Sequence, residues 1–316
     1  MDHYKRFTLG FLLFTVFLIV AYRIFYTVFR VNVLDTIYQA KEIALVFIGF
    51  IIVSESIRAV RLSIIYREII GYEGSWFSLY KRSLVARFSS NVISTITPSA
   101  MGGEFIRGLV VSGLKKELIP AAVAVGLADG LYDLFTNVAI AIILLPLVKP
   151  LITGLAIILI GLGSSALWIL TLLVVCGKIH SKILSRIPFI NHPAIKKSSE
   201  AIINSFSKRI LFKSLLLSII GWILVALGYY FVALYTCHIR LNVLEALTNI
   251  MYAFLLGIIP TPAGLVTMDA WLASTSCPSA AVLWRTSGLL SVIVMAVLSI
   301  PHIIGIVREY SSLSSV

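Results

Sequence analysis

The sequence predicts an all-α polytopic membrane protein of about six spanning helices and two re-entrant helical hairpins, arranged as an inverted repeat. Three observations carry this prediction. Of the 316 residues, 59% are hydrophobic and 13% charged, against roughly 25% charged in an average soluble domain, and mean hydropathy is +1.01. Apolar stretches of the ~20 residues needed to cross a bilayer follow one another along nearly the whole chain. Two further apolar stretches are interrupted midway by Pro and Gly, which survive at membrane depth only where protein or a water-filled cavity satisfies the freed backbone groups.

In chain order, the spans fall near Phe7–Phe29, Ile43–Tyr66, Leu118–Leu147, Leu151–Cys176, Leu211–Tyr235 and Ser279–Ile306. The first resembles a signal peptide, but Tyr22 and Arg23 stand where a small-residue cleavage site belongs, so it is kept as a span. Between the second and third spans, Phe88–Gly113 reads as an apolar, hydroxyl-rich arm to Pro98, a break at 100–103, and a short second arm bearing Glu104 and Arg107. Neither arm is expected to cross alone. Val243–Ser276 repeats the design, with Pro260, Pro262 and Gly264 at its break.

An offset of 162 residues carries Pro98 to Pro260, Gly102 to Gly264 and the third span onto the sixth. The chain therefore reads as one membrane domain, 1–316, built of pseudo-repeats 1–150 and 151–316. Three crossings per half invert the second copy. Loop charges agree with this. With the N-terminus inside, sixteen connector Lys and Arg, among them Lys115, Lys116, Lys196 and Lys197, fall on the cytoplasmic side, and Arg30, Lys41, Lys149 and Arg240 outside. Both termini are expected in the cytoplasm of a cell-membrane protein. The connector 177–213 reads as an amphipathic segment on the anionic inner leaflet.

Charges inside the spans and hairpins mark the candidate site, because a central charge costs roughly 2.5–3.5 kcal/mol to insert. They are Glu55, Arg58, Arg61, Arg87, Glu104, Arg107, Asp129, Asp133 and Asp269. Arg58, Arg61, Arg87 and Arg107 beside the glycine break suit a phosphate, with the amides of Gly102 and Gly103 opening a helix towards it. Asp129 and Asp133, at i,i+4, share a face and are candidates for proton coupling, alongside Glu55 and Asp269. The alternative is ion pairs that only fix packing, which is favoured for Glu55 alone, since it has a ready partner in Arg58. The offset places apolar or hydroxyl residues opposite Glu55, Arg58, Asp129 and Asp133, so the charges are expected on one side. Gly126 and Gly130 read as a close helix contact.

Other chemistries find no residues. Cys176, Cys237 and Cys277 lack metal-ligand spacing and are expected to pack. The five histidines sit near span ends or connectors, and no HExxH, GxSxG or P-loop occurs. No cofactor, metal or nucleic-acid partner is expected.

The segments TPSAMGGEFIRG, LADGLYDLF and PTPAGLVTMDAW resemble the flippase-like family named after the transmembrane region of lysylphosphatidylglycerol synthases, over nearly the whole chain. Its first signature matches Pro98, Gly102, Gly103, Glu104 and Arg107. Its second, Glu-Arg and then Asp, falls on Asp129, Gly130 and Asp133, without the arginine. Its third matches Pro260, Pro262, Gly264 and Asp269, with Val266 where a second glycine is usual. The resemblance implies translocation of an anionic or phosphate-linked lipid, a phospholipid or polyprenyl-phosphate sugar, and membrane lipids as partners. The length implies a stand-alone member without the soluble synthase domain. Two other readings accompany it: a membrane partner of a glycosyltransferase of lipid-linked sugars, and a membrane-embedded transferase with Glu104 or Asp269 as base. A non-enzymatic transporter is the expectation.

Overall fold

The computed structural model describes residues 23, 27, 32–96, 102–115, 117–175, 193–238, 241–259 and 265–313. The expected first span, the turns carrying Pro98, Pro260, Pro262 and Gly264, and Cys176 lie outside them. Among the described residues all extended secondary structure is helical: α1 Val33–Gln39, α2 Lys41–Ile70, α3 Trp76–Ile96, α4 Gly102–Val111, α5 Ile119–Ile143, α6 Leu151–Val175, α7 Pro193–Ser205, α8 Lys208–Cys237, α9 Val243–Leu256, α10 Leu265–Thr275 and α11 Pro278–Leu313. Five of these, α2, α5, α6, α8 and α11, are long and apolar enough to cross a membrane. Their outward faces carry bare Leu, Ile and Val, such as Ile152, Leu159, Ile293 and Val297, where lipid would lie.

Local sequence sets the ends. Gly71, in the left-handed region at φ 72°, closes α2 by donating its N–H to Arg67. A reciprocal capping box between Asn242 and Glu245 opens α9.

Both interrupted stretches are antiparallel hairpins. In the first, a Cβ on Gly103 would meet Ser94, Arg107 bonds Ser90, and Gly113 lies beside Arg82, so α4 runs back along α3. In the second, Thr267 bonds the carbonyl of Leu256 and Trp271 that of Asn249. One boundary is corrected. The first arm belongs to a longer helix, α3, that begins at Trp76 and not at Phe88; at 21 residues it carries Lys81, Arg82 and Arg87 and is not among the five helices apolar enough to cross.

The packing treats the two halves alike. α3 packs against α2, α4 and α11, and α9 against α8, α10 and α5. α4 packs on α5 as α10 does on α11. At the centre, α2 and its counterpart α8 run antiparallel, with Phe47 against Gly228, Ser54 bonded to Gly221 and Glu68 near Arg209. That is the relation an inverted repeat requires. The larger core gathers Phe47, Trp222, Tyr229, Tyr252, Leu272 and Trp284 from α2, α8, α9, α10 and α11. A second joins Leu62, Tyr66, Leu79, Val125 and Tyr132.

Two further expectations change. Cys237 and Cys277 form a disulfide with Cα atoms 5.8 Å apart. The chain leaves α8, makes the second hairpin and returns to the same place, so the two sulfurs meet although 40 residues separate them. The described part of the connector does not lie free on a leaflet. α7 buries Ser199, Ala201, Ile202 and Ser205 and packs on α5, where Tyr132 donates to the Ser205 carbonyl and Ser198 to that of Pro120. Its apolar stripe is covered by protein while Lys197 and Glu200 remain exposed. Ile183, Leu184 and Ile187 fall outside the described residues.

Candidate functional site

Eight of the nine charges expected at membrane depth meet in one network, and Asp269 stands apart from it. From α2 come Glu55, Arg58 and Arg61, from α3 Arg87, from α4 Glu104 and Arg107, and from α5 Asp129 and Asp133: four cations and four acids. Close packing of α4 on α5 brings the two hairpin charges in. A Cβ on Gly126 would run into the Glu104 carbonyl, and one on Gly130 would come within 3.0 Å of the Glu104 side chain. Gly126 and Gly130 are thus contact residues, and Glu104 sits against the position at which the resemblance anticipates an arginine.

Asp129, wholly buried, is the hub. It accepts from Arg61 Nε at 2.7 Å, Arg87 Nη1 at 2.6 Å and Arg107 Nη1 at 3.2 Å. Arg61 also bonds both oxygens of Asp133, at 2.8 and 2.9 Å, and the Asp129 carbonyl at 2.9 Å. Each of its nitrogens is engaged and its side chain is fully buried. Arg61 is therefore closed to a substrate, a correction to its reading as a phosphate ligand. Arg87 additionally clamps Glu55 at 2.8 Å. Cations reach the aspartate pair from α2, α3 and α4, although none stands beside it in sequence. A pair held this way needs no shared proton to be tolerated.

Beside the network lies a cavity of about 380 Å³. Glu55, Arg58, Arg87, Glu104, Arg107 and Asp133 line its polar end, while Phe47, Trp222, Phe254, Leu255, Met268 and Trp284 form an apolar wall. Arg61, Asp129, Gly102, Gly103 and Asp269 do not reach it. Gly103 is a packing position, since a Cβ there would meet Ser94 and lie 2.8 Å from the Ser90 carbonyl.

Arg58 is held differently from the other three arginines. Its Nη1 bonds Glu55 at 3.1 Å and its guanidinium stacks on Trp222 at 4.2 Å. Its Nε, 3.6 Å from Asp133, and its Nη2 have no hydrogen-bond partner, although both are buried. Glu104 Oε2, Asn137 Oδ1 and Trp222 Nε1 are in the same condition, and their residues line the same cavity.

Sequence reasoning missed one charge. Arg285 of α11 grips the fully buried Asp269 through Nε and Nη2 at 2.9–3.1 Å and lines the cavity from the second half. The signal was present, a single arginine inside the apolar 278–306 span. Asn137 and Trp222 carried no such signal, because only their neighbours make them polar groups without partners. Among the described residues, no cluster of His, Cys, Asp and Glu could hold a metal ion.

No curated protein and no solved structure matches the chain. The family model described as the lysylphosphatidylglycerol synthase transmembrane region matches residues 7–278, which takes in the hairpins, the ion network, the cavity's polar end and Asp269. The protein is thus a multi-pass membrane protein with a helical fold, and it belongs to the lysylphosphatidylglycerol synthase transmembrane-region family.

Proposed function

We propose that the protein is a lipid transporter that moves a lipid with a phosphate-bearing, hydroxylated headgroup between leaflets. The supporting observation is the set of buried, unpartnered polar atoms on residues that line the cavity: the donors Arg58 Nε, Arg58 Nη2 and Trp222 Nε1, and the acceptors Glu104 Oε2 and Asn137 Oδ1. Buried polar groups are nearly always hydrogen-bonded. A group with phosphate oxygens for the arginine and indole, and hydroxyls for the carboxylate and amide, satisfies the whole set. A phospholipid such as phosphatidylglycerol and a polyprenyl-phosphate sugar share that chemistry. The volume suits a headgroup and not a whole lipid.

Within this reading Arg58 is the main phosphate ligand, supported by Arg87 and Arg107, which line the same end. The network behind Asp129 is the rigid floor against which the headgroup rests. The two hairpins enter from opposite faces of the cell membrane, both termini are cytoplasmic, and rocking of one half against the other exposes the site alternately. The role is transport, with no catalytic step.

The test uses purified protein in liposomes with a fluorescent phosphatidylglycerol, following loss of outer-leaflet signal to an impermeant quencher. Arg58→Lys keeps the Glu55 pair but loses the planar stack and the two free donors, so lipid affinity should fall by about 1–3 kcal/mol, or roughly tenfold to a hundredfold. Wild-type rates in both Arg58→Lys and Arg58→Gln would remove Arg58 from the site.

A further inference from the structure

Both halves tie a hairpin arm to the following span by an ion pair, with the polarity reversed and the span partner at a different position, since the offset carries Asp129 to Ser291 and not to Arg285. In the first, the hairpin arm α4 supplies the cation and the following span the anion, through Arg107 and Asp129 at 3.2 Å. In the second, the offset position of Arg107 is Asp269. Arm α10 now supplies the anion and the following span the cation, Arg285, at 2.9 Å. A tie that served only packing would work in either polarity. The reversal has one geometric consequence: it puts the second half's guanidinium, and not its carboxylate, on the cavity wall. Asp269 is fully buried and off the cavity, whereas the Arg285 side chain is 18% exposed and lines it.

The two arginines also lie at different depths. The disulfide places the start of α11 beside the end of α8, and α2 starts at that same end, where Tyr235 bonds the Gln39 carbonyl. Counting along the helices at 1.5 Å per residue, Arg285 is roughly 10 Å and Arg58 roughly 25 Å from that face. One cavity joins them, with the partnerless Nε and Nη2 of Arg58 at its inner end.

The geometry points to a second anion station at Arg285, at which a phosphate-bearing headgroup arrives from the disulfide-bearing face before passing to Arg58, or leaves after it. This rests on the transport reading above. Arg285 binds through the edge of its guanidinium not committed to Asp269, while Asp269 holds the arginine in place and keeps the unloaded site neutral. The bound group is a phosphate ester, so lipid headgroup and free phosphate share the chemistry.

The test separates a station from a structural pair by reversing the polarity. Asp269→Arg combined with Arg285→Asp keeps an ion pair between α10 and α11 but moves the cation off the wall. Full-length protein in neutral detergent is titrated with dihexanoyl phosphatidylglycerol, read by tryptophan fluorescence, with inorganic phosphate as competitor and melting temperature recorded alongside. The expected result is a melting temperature like that of the wild type and affinity reduced at least tenfold. Wild-type affinity in the folded double variant overturns the proposal.

Should the double variant fail to fold, Arg285→Lys decides. Weakened binding at unchanged melting temperature supports the station, and unchanged binding overturns it. Arg58→Lys in parallel keeps the two readings apart. Binding lost there but untouched by the changes at Arg285 sinks the second station alone, whereas no lipid binding by the wild type sinks the transport reading. Phosphate binding without lipid binding, lost in the double variant, supports the station with free phosphate as its occupant.

Discussion

Asp129→Asn probes the network most directly, because three guanidinium groups depend on one carboxylate. The substitution leaves four buried arginines facing three acids and puts an amide N–H where an acceptor stood. The cost is not three broken pairs. Arg61 keeps Asp133 at 2.8 Å and Arg87 keeps Glu55 at 2.8 Å, so Arg107 loses most, retaining Ser90 at 3.0 Å and a distant Glu104 at 3.8 Å. The expected loss is therefore that of one broken buried ion pair, about 3–5 kcal/mol, or two to nearly four powers of ten in the unfolding equilibrium. In a thermal melt in detergent this amounts to a drop on the order of 10 °C. Asp133→Asn should cost less, about 1–3 kcal/mol, since Asp133 is 17% exposed on the cavity and its other partner is the Ser218 hydroxyl. Both variants are melted and assayed for uptake with and without an imposed proton gradient. Equal melting of wild type and Asp129→Asn would refute the hub. A stable Asp133→Asn protein that keeps passive exchange but loses gradient-driven uptake would restore a proton-carrying role to that aspartate.

Three further outcomes are expected. Gly108→Ala should destabilise by roughly 1–3 kcal/mol or more, because its Cβ would meet the backbone of Val123 and Ala122; an unchanged melt would mean that α4 and α5 are free to part. Single cysteines at Lys116 and Ser276, in a chain otherwise lacking reactive thiols, should label from opposite faces of the membrane, and labelling of both from one side would end the inverted repeat. Cys237 and Cys277 should resist maleimides in intact cells until an impermeant reductant is supplied from outside, as a bond formed in an oxidising compartment requires; ready labelling without reductant would show the thiols to be free.

How much of this was legible in the chain follows from what each feature depends on. Burying an apolar side chain in lipid is close to a property of the residue itself, so the long apolar helices could be read by counting along the sequence. A charge in such a surrounding is costly wherever it sits. Glu55, Arg58, Arg61, Arg87, Glu104, Arg107, Asp129, Asp133 and Asp269 therefore stand out as candidates from the sequence, with the Glu55–Arg58 pairing legible from spacing alone. Gly126 and Gly130 announced a close contact for an equally local reason, the missing Cβ. Choice of partner is not local. Arg61 had two carboxylates available 68 and 72 residues away and Glu55 close by on its own helix. Only the crossing of α2 with α5 decided that it would be sealed against the aspartates, leaving Arg58 on the cavity wall with two buried donors unpartnered. Cys237 with Cys277, α7 against α5, and Arg285 across from Arg58 were decided in the same way. Whether a polar group is satisfied, paired or left facing a ligand depends on distances of a few ångströms between helices, which tertiary packing alone sets.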